Sequence, residues 1–419
     1  MAVNHISNYP INFILTKNNF LVMISNKSRQ YKTKQLKTAR VVQGGTRRKY
    51  AYTFIFFIIS FFYQRSFMEI GKREKSQNRK KKRVRRNQII IAGMLILLIV
   101  LLLASFTLGR YNIDIKDLIV YMGKKLGINL ELDQIKEHLI SSVRFPRIIA
   151  VILTGLALSV SGASYQGIFK NPMVSPDILG ASAGAGFGAS LGILLSLPTI
   201  MIQLLAFGFG ITSVALSCLI AGIVGRRENV TLVLVLAGMV VSSLFSAFIS
   251  IIKYVADPYA KLPEITFWLM GSISDAKNSD LIFIIVPVVI CLTIIFLVRW
   301  EINVLSFGDE EARALGVNAG QLRLVIIICA TMLTATVVSV SGQIGWVGLI
   351  IPHLARMIVG PDYRYLIPAT AILGGIFLLL VDNIARTVMP VEIPLGILTA
   401  IIGAPFFVFL ILRGRKGWI

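Results

Sequence analysis

The sequence is poor in the residues that build metal sites and disulfide frameworks. Only three cysteines and three histidines occur in 419 residues. Cys218, Cys291 and Cys329 all fall inside apolar runs, and the histidines are far apart in the sequence. This spacing indicates neither a disulfide framework nor a zinc site. We therefore expect no metal and no cofactor.

Charged residues are scarce as well, and acidic ones most of all. Lys and Arg number 43 against 20 Asp and Glu, for a formal net charge of +23. Residues 1–87 hold 21 of the basic residues and two of the acidic ones, so the excess belongs to an N-terminal tail. With 55% hydrophobic residues and a mean hydropathy of +0.76, the rest of the chain is typical of an integral membrane protein.

Motifs of ATP hydrolysis and of intramembrane proteolysis are missing. The chain has no GxxxxGK[ST] P-loop, no HExxH, and no serine–lysine or paired-aspartate pattern in its apolar segments. We expect no catalytic residues and a protein that is not an enzyme. Ionisable groups are nearly absent from the apolar segments, which argues against an ion-coupled secondary carrier. That carrier and a basic-tailed membrane scaffold or nucleic-acid tether remain as alternatives.

Long uncharged runs are what the sequence does contain. A helix needs about 20 residues to cross a hydrocarbon core of roughly 30 Å, and residues 89–108 form one such run. Two runs are too long for one helix, and we divide 178–225 near Pro198 and 324–352 near Gly342 and Gly345. This division predicts an all-α integral membrane protein with ten transmembrane helices in residues 88–413. The other spans lie near 148–169, 230–252, 281–298, 365–381 and 393–412.

Basic residues beside the spans indicate the orientation, because Lys and Arg resist translocation. The cluster at residues 72–86 precedes the first span. When the spans are counted alternately, the same side receives Arg226, Arg227, Arg299, Arg313, Arg323 and the basic residues at 413–416. We therefore predict a multi-pass protein of the cell membrane with cytoplasmic N- and C-termini and a cytoplasmic tail at 414–419. Arg144 and Arg147 are the exception, since this topology leaves them on the outer face.

Residues 1–87 form a basic N-terminal extension whose first part fits no simple class. Its apolar stretch at 51–63 is too short to span comfortably, and no convincing signal-peptide cleavage site follows. Our hypothesis is that translation begins at Met68, so that residues 1–67 are not part of the native protein.

Small residues recur at helical spacing in one span. Gly180, Gly184, Gly188 and Gly192 are each four residues apart, which lines one side of a helix with hydrogen atoms and allows close packing. A weak repeat also occurs, because Ser-Val-Ser-Gly ends the second span at 159–162 and the seventh at 339–342. The two helices would point in opposite directions, which is typical of an inverted repeat of spans two to five and seven to ten.

The segment between the sixth and seventh spans predicts a short inner helix bounded by Gly308 and Gly316. Asp309 can cap its start, Glu310 and Glu311 suit its N-terminal dipole, and Gly316 can close its end. Phe307, Ala312 and Leu315 would give it a small apolar face. The segment is either a docking site for another protein or a solvated connector.

Two charged residues near the outer end of the ninth span also have two interpretations. Asp382 and Arg386 are four residues apart, so they can form an intrahelical ion pair. Alternatively, Arg386 joins Arg144 and Arg147 in an outward-facing basic set that meets acidic residues of a partner.

Five collinear segments resemble the FecCD family of permeases, which serve ABC importers of ferric siderophores, haem and cobalamin. They begin with RFPRIIAVILTGLALSVSGASYQGIFKNPMVSPDILGASAGAGFG (144–188) and FWLMGS (267–272). SFGDEEARALGV (306–317), SGQIGWVGLIIPHLARMIVGPDYR (341–364) and VEIPLGILTAIIGAPFFVFLILR (391–413) complete the set. The resemblance covers about residues 88–413 and leaves out the N-terminal extension.

The resemblance implies a type II importer: two permease subunits, identical or paralogous, two cytoplasmic ATPases that supply the energy, and an extracytoplasmic binding protein. It implies ATPase coupling through Gly308, Asp309, Glu310, Ala312, Arg313, Ala314, Leu315 and Gly316. It likewise implies docking of the binding protein on Arg144, Arg147 and Arg386. A ferric siderophore is the expected cargo, with haem or cobalamin as alternatives, and the glycine stripe from Gly180 to Gly192 is expected to pack near the path.

Overall fold

The computed structural model describes residues 11–15, 21–25, 81–109, 111, 113–128, 131–224 and 230–414. The chain divides into two units, Met1–Lys81 and Lys82–Ile419. In the first unit, β1 (Ile11–Leu15) and β2 (Leu21–Ser25) pair as antiparallel strands, with Phe13 opposite Met23. The sequence predicts no strand in this segment. The predictions that concern Met68, residues 51–63, Arg226, Arg227 and residues 415–419 fall outside the described residues.

The second unit is all-α where the structure describes it. In chain order its helices are α1 (Lys81–Thr107), α2 (Ile115–Lys125), α3 (Gln134–His138), α4 (Phe145–Ile168), α5 (Ala181–Leu194), α6 (Thr199–Val224), α7 (Val230–Val255), α8 (Lys261–Met270), α9 (Asn278–Leu305), α10 (Asp309–Ala314), α11 (Ala319–Ser341), α12 (Val347–Val359), α13 (Tyr363–Thr387) and α14 (Leu395–Gly414). A π-helical turn, Leu139–Arg144, joins α3 to α4, and a 3₁₀ turn, Pro176–Leu179, precedes α5.

The number of apolar helices agrees with the prediction. Among the described residues, seven helices are long and apolar enough to cross a membrane, and α5, α12 and α14 are shorter apolar helices. Together they make ten, which confirms the all-α membrane fold. Both predicted breaks are present, because α5 ends at Leu194 before Pro198 and α11 ends at Ser341 before Gly342. Gly342 has φ +67°, and a side chain there would also meet the carbonyl of Trp268, so the break requires glycine.

Helix α4 lies at the centre of the bundle, where it packs against α9, α11, α12 and α13. Its polar side chains are paired with α11: Ser161 Oγ donates to the carbonyl of Ala330 at 3.0 Å and lies 2.9 Å from Thr334 Oγ1. One turn further on, the Tyr165 hydroxyl lies 2.9 Å from Thr331 Oγ1. These hydrogen bonds satisfy buried hydroxyl groups and hold the two antiparallel helices together.

The structure corrects one detail of the predicted repeat. The Ser-Val-Ser-Gly copy at 339–342 does end its helix, α11. The copy at 159–162 lies inside α4, which continues to Ile168. The continuation occurs because α4 stays apolar and buried beyond Gly162, so nothing in its surroundings ends the helix there.

The two ends of the bundle carry different charged clusters. Arg144, Arg147 and Arg386 lie at one end, which we call the arginine end. Helix α10 lies at the other, which we call the α10 end. The basic start of α1 is at the α10 end, because Asn87 Nδ2 donates to the carbonyl of Val359, the last residue of α12, at 2.8 Å.

Candidate functional site

At the arginine end, Arg147 is held by two carboxylates. Its Nη2 and Nε lie 2.8 and 3.0 Å from Asp382 Oδ1 of α13, and Nη1 lies 2.9 Å from both carboxylate oxygens of Glu392. Asp382 is fully buried, whereas the side chain of Glu392 is 31% exposed. Burial of a guanidinium is costly unless its charge is paired or its N–H groups are hydrogen-bonded.

Arg386 and Arg144 complete this cluster. Arg386 Nε lies 3.4 Å from Asp382 Oδ2 in the same helix, and its Nη2 donates to the carbonyl of Ser105 in α1 at 2.8 Å. The predicted intrahelical pair is therefore present. Arg144 donates to the carbonyls of Phe106 and Tyr111 and has no carboxylate partner among the described residues.

The structure thus brings the three predicted arginines together but buries them, since only 5–7% of each residue is exposed. The guanidinium groups bind groups of their own chain, and Glu392 is the most exposed member of the network. Docking of a partner on these arginines stays a prediction. The sequence analysis did not identify Glu392, because this residue lies in the loop before α14 and has no regular spacing from the three arginines.

At the α10 end, the short helix predicted between Gly308 and Gly316 is present as α10. Gly308 is its N-cap, so Asp309 does not cap the helix as predicted and is its first residue instead. Gly316 has φ +81°, a left-handed conformation that glycine tolerates, and it ends the segment.

The predicted apolar face of α10 is split between two sides. Ala312 is fully buried against the bundle, whereas Leu315 is 60% and Phe307 74% exposed. The face differs from the prediction because Phe307 and Leu315 both lie outside the six-residue helix, so helical spacing does not place them beside Ala312. The exposed residues of the segment are Phe307, Glu310, Glu311, Arg313, Ala314, Leu315 and Gly316. A surface that combines charged side chains with exposed apolar ones suits contact with another protein.

The carboxylate of Asp309 is paired with two cationic side chains. Arg323 Nη1 and Nη2 lie 2.7 and 2.8 Å from its two carboxylate oxygens, and Lys170 Nζ lies 3.4 Å from Oδ1. These hydrogen bonds, led by the one from Arg323, hold the pKa of Asp309 below its usual value. Sequence reasoning had no signal for this cluster, because its members are separated by 14 and 139 residues.

The glycine stripe packs α5 against α6. A side chain at Gly184 would meet the carbonyl of Phe209, and one at Gly188 would meet the carbonyl of Leu205. Gly192 approaches Ile202, and Gly180 has φ +91° at the start of α5. The stripe therefore brings two backbones together within the subunit, and its relation to a transport path stays a prediction.

The opposite side of α5 borders a cavity of about 920 Å³. Its polar lining includes Asp177, Ser182, Ser246, Lys253 and Gln343. Gln343 Nε2 donates to the carbonyl of Ser182 at 2.9 Å, and Ser182 Oγ donates to Asp177. The walls carry charges of both signs and several hydroxyl and amide groups, so the cavity suits a large polar solute held by weak contacts.

The described residues contain no group of three His, Cys, Asp or Glu side chains that could hold a metal ion. Cys291 and Cys329 are buried free thiols, and Cys218 is half-buried.

Comparisons with known proteins match most of the second unit. A model described as the FecCD transport family matches residues 97–413. The molybdate import system permease protein MolB of Haemophilus influenzae is 41% identical over 315 residues, which are 75% of this chain and 92% of that protein. An iron chelatin transport system permease protein of Helicobacter pylori is 40% identical over 277 residues, which are 66% of this chain and 83% of that protein.

The fold is similar to that of a solved structure described as an inward-facing conformation of a metal-chelate type ABC transporter. The two chains share 38% sequence identity with a TM-score of 0.70, and the match covers 78% of this chain and 99% of the other.

Proposed function

Because the chain belongs to the FecCD transport family, we propose that it forms the translocation path of a binding-protein-dependent ABC importer for a ferric siderophore. The observation that carries the proposal is the match over 99% of a metal-chelate type transporter. The wide, weakly polar cavity beside α5 supports it, because a large hydrophilic chelate needs room and few strong contacts. As a permease subunit the chain is not an enzyme, and ATP hydrolysis belongs to a separate subunit.

The proposed assembly contains two permease subunits in the cytoplasmic membrane, two ABC ATPases and an extracytoplasmic binding protein. Here the α10 end faces the cytoplasm, and the exposed surface around Leu315 rests on an ATPase. The basic start of α1 at the same end supports this orientation, since positive charge beside a span favours the cytoplasmic side. The arginine end faces outward, where the binding protein docks.

A second candidate cargo is the molybdate oxyanion. It is favoured by the 41% identity to MolB over 92% of that protein. Both cargoes fit the same permease class, because cargo choice in such a system depends on the binding protein as well as the path.

Uptake by cells decides between the two cargoes. A strain without this gene is supplied with a ⁵⁵Fe-loaded hydroxamate siderophore or with ⁹⁹Mo-molybdate, and is complemented with the wild-type gene. Loss of iron uptake that the wild type restores supports the siderophore proposal. Loss of molybdate uptake alone supports the second candidate. Uptake that persists without ATP while the ion gradients remain would contradict an ABC importer.

The ATPase contact is tested with Leu315→Glu, which places a charge on the exposed apolar residue that directly follows α10. We expect the variant to insert normally but to lose most of the ATPase on co-purification and to uncouple uptake. The matched control is Leu126→Glu, in the connection between α2 and α3 outside the membrane spans, where the residue is 81% exposed. Equal ATPase retention by Leu315→Glu and the wild type would contradict the assigned surface.

A further inference from the structure

The Lys170, Asp309 and Arg323 side chains connect three separate segments at the α10 end. Asp309 opens α10, Arg323 lies in the second turn of α11, and Lys170 follows α4 by two residues. The guanidinium of Arg323 donates to both carboxylate oxygens of Asp309 at 2.7 and 2.8 Å, and Lys170 Nζ lies 3.4 Å from one of them. We call these three residues the joint.

The two-bond contact from Arg323 fixes direction as well as distance. A planar guanidinium that binds both carboxylate oxygens restricts rotation of the pair, which a single ammonium contact does not. The remainder of α10 is held by burial of Ala312 and by the Val317 N–H bond to the Ala312 carbonyl. A tilt of α10 therefore displaces the Asp309 carboxylate, and the two hydrogen bonds from Arg323 pass that displacement to α11.

The two helices that the joint reaches are themselves connected. Ser161 of α4 bonds Ala330 and Thr334 of α11, and Tyr165 lies 2.9 Å from Thr331. The joint therefore contacts one end of a helix pair, α4 and α11, that is itself held together by hydrogen bonds. These two helices also carry the two copies of the Ser-Val-Ser-Gly sequence, so the joint contacts both halves of the predicted repeat.

We propose that the joint transmits movement of α10 to α4 and α11 together, with Asp309 and Arg323 as positioning residues of the transport cycle. The inference rests on the proposed function, in which an ATPase displaces α10. Coupling between distant sites can be carried by ion pairs and hydrogen bonds between rigid helices, and the joint is a charged link between α10 and the ends of α4 and α11. Partly exposed ion pairs contribute little to stability, so removing this one leaves the fold intact.

The test measures movement without any cargo. The permease is reconstituted in lipid nanodiscs with its ABC ATPase and carries spin labels at Ser246→Cys and Ile401→Cys, both at the cavity. Cys218, Cys291 and Cys329 are replaced by alanine. The interlabel distance is measured before and after addition of ATP and vanadate. Asp309→Asn and Arg323→Gln should each reduce the wild-type shift at least threefold while the ATPase still co-purifies and hydrolyses ATP.

Two control variants separate the joint from a general charge effect. Lys136→Gln removes an ion pair of similar length, 2.7 Å to Asp117, that joins α3 to α2 and is remote from α10, and it should keep the full shift. Asp309→Glu keeps a carboxylate for Arg323 and should keep at least half of the shift.

The outcomes distinguish the joint from the proposed function. A wild-type shift in both Asp309→Asn and Arg323→Gln overturns the joint and leaves the permease function standing. Loss of the ATPase from Asp309→Asn also overturns it, because Asp309 would then be a docking residue. A wild-type permease that binds no ABC ATPase overturns the proposed function and the joint with it.

Discussion

Arg147 of α4 donates to Asp382 of α13 at 2.8 Å, with both side chains almost fully withdrawn from solvent. Asp382 also lies 3.4 Å from Arg386, so one buried carboxylate serves two guanidinium groups. Arg147, Arg386 and Asp382 carry one net positive charge between them, which Glu392 neutralises from the exposed side. The network connects α4, α13 and the loop before α14 at one end of the bundle.

Asp382→Asn should destabilise the isolated permease. The change leaves two buried guanidinium groups without their shared carboxylate, and breaking a buried pair costs about 3–5 kcal/mol. Unfolding of the detergent-solubilised protein measures the loss. Lys124→Gln is the control, because its pair with Glu137 at 2.6 Å has side chains that are 43% and 30% exposed. A pair of that kind contributes about 0–1 kcal/mol, and equal stability of the two variants would contradict the role of the network.

Glu392→Gln tests docking on the arginine end. Arg147 keeps Asp382 and stays buried in this variant, but the partly exposed carboxylate of Glu392 is replaced by a neutral amide, so the arginine end presents a more positive surface to acidic residues of the binding protein. We expect the binding protein to associate about threefold more tightly at low salt, with the difference reduced at high salt. Replacing Arg144 or Arg147 by Glu is a poorer test, because both are buried. Unchanged or weaker association of Glu392→Gln would count against docking at this end.

Gly188→Ala should destabilise the packing of α5 on α6. Its methyl group would overlap the Leu205 carbonyl, and relief of such overpacking costs about 1–3 kcal/mol. Gly208→Ala in α6 is the matched control, because a methyl group there meets nothing within 4 Å. Alanine at that position should be neutral or stabilising by up to about 1 kcal/mol. A melting temperature of Gly188→Ala at or above that of the control would contradict the assigned close approach.

The movement that the joint transmits from α10 to α4 and α11 should not depend on pH near neutrality. Hydrogen bonds from Arg323 hold the pKa of Asp309 below 3.8, so the stabilisation by this pair is complete above 3.8. It is lost only as the pH falls through the lower pKa of the folded state. The spin-label shift with ATP and vanadate should therefore be constant between about pH 6 and pH 8. A transition with a midpoint in that interval would show that another group controls the movement.

Much of the helix layout follows from the sequence. Uncharged runs, Pro198 and the Gly342–Gly345 break predict the ten apolar helices, because a membrane requires every backbone group in a span to bond within its own helix. Helix α8 and the π-helical turn before α4 were not predicted. Both are short and depend on packing against neighbouring helices, which periodicity does not reveal.

For the charged clusters, the sequence predicts where the residues stand along the chain but not which partners they bind. The sequence by itself determined that Arg144, Arg147 and Arg386 stand at span ends and that a short helix lies between Gly308 and Gly316, since local spacing fixes both. Only the tertiary structure decided that the arginines are buried against Asp382 and Glu392, and that Asp309 binds Arg323 and Lys170. Those pairs join residues up to 245 positions apart, and their formation depends on how the helices pack rather than on any local pattern.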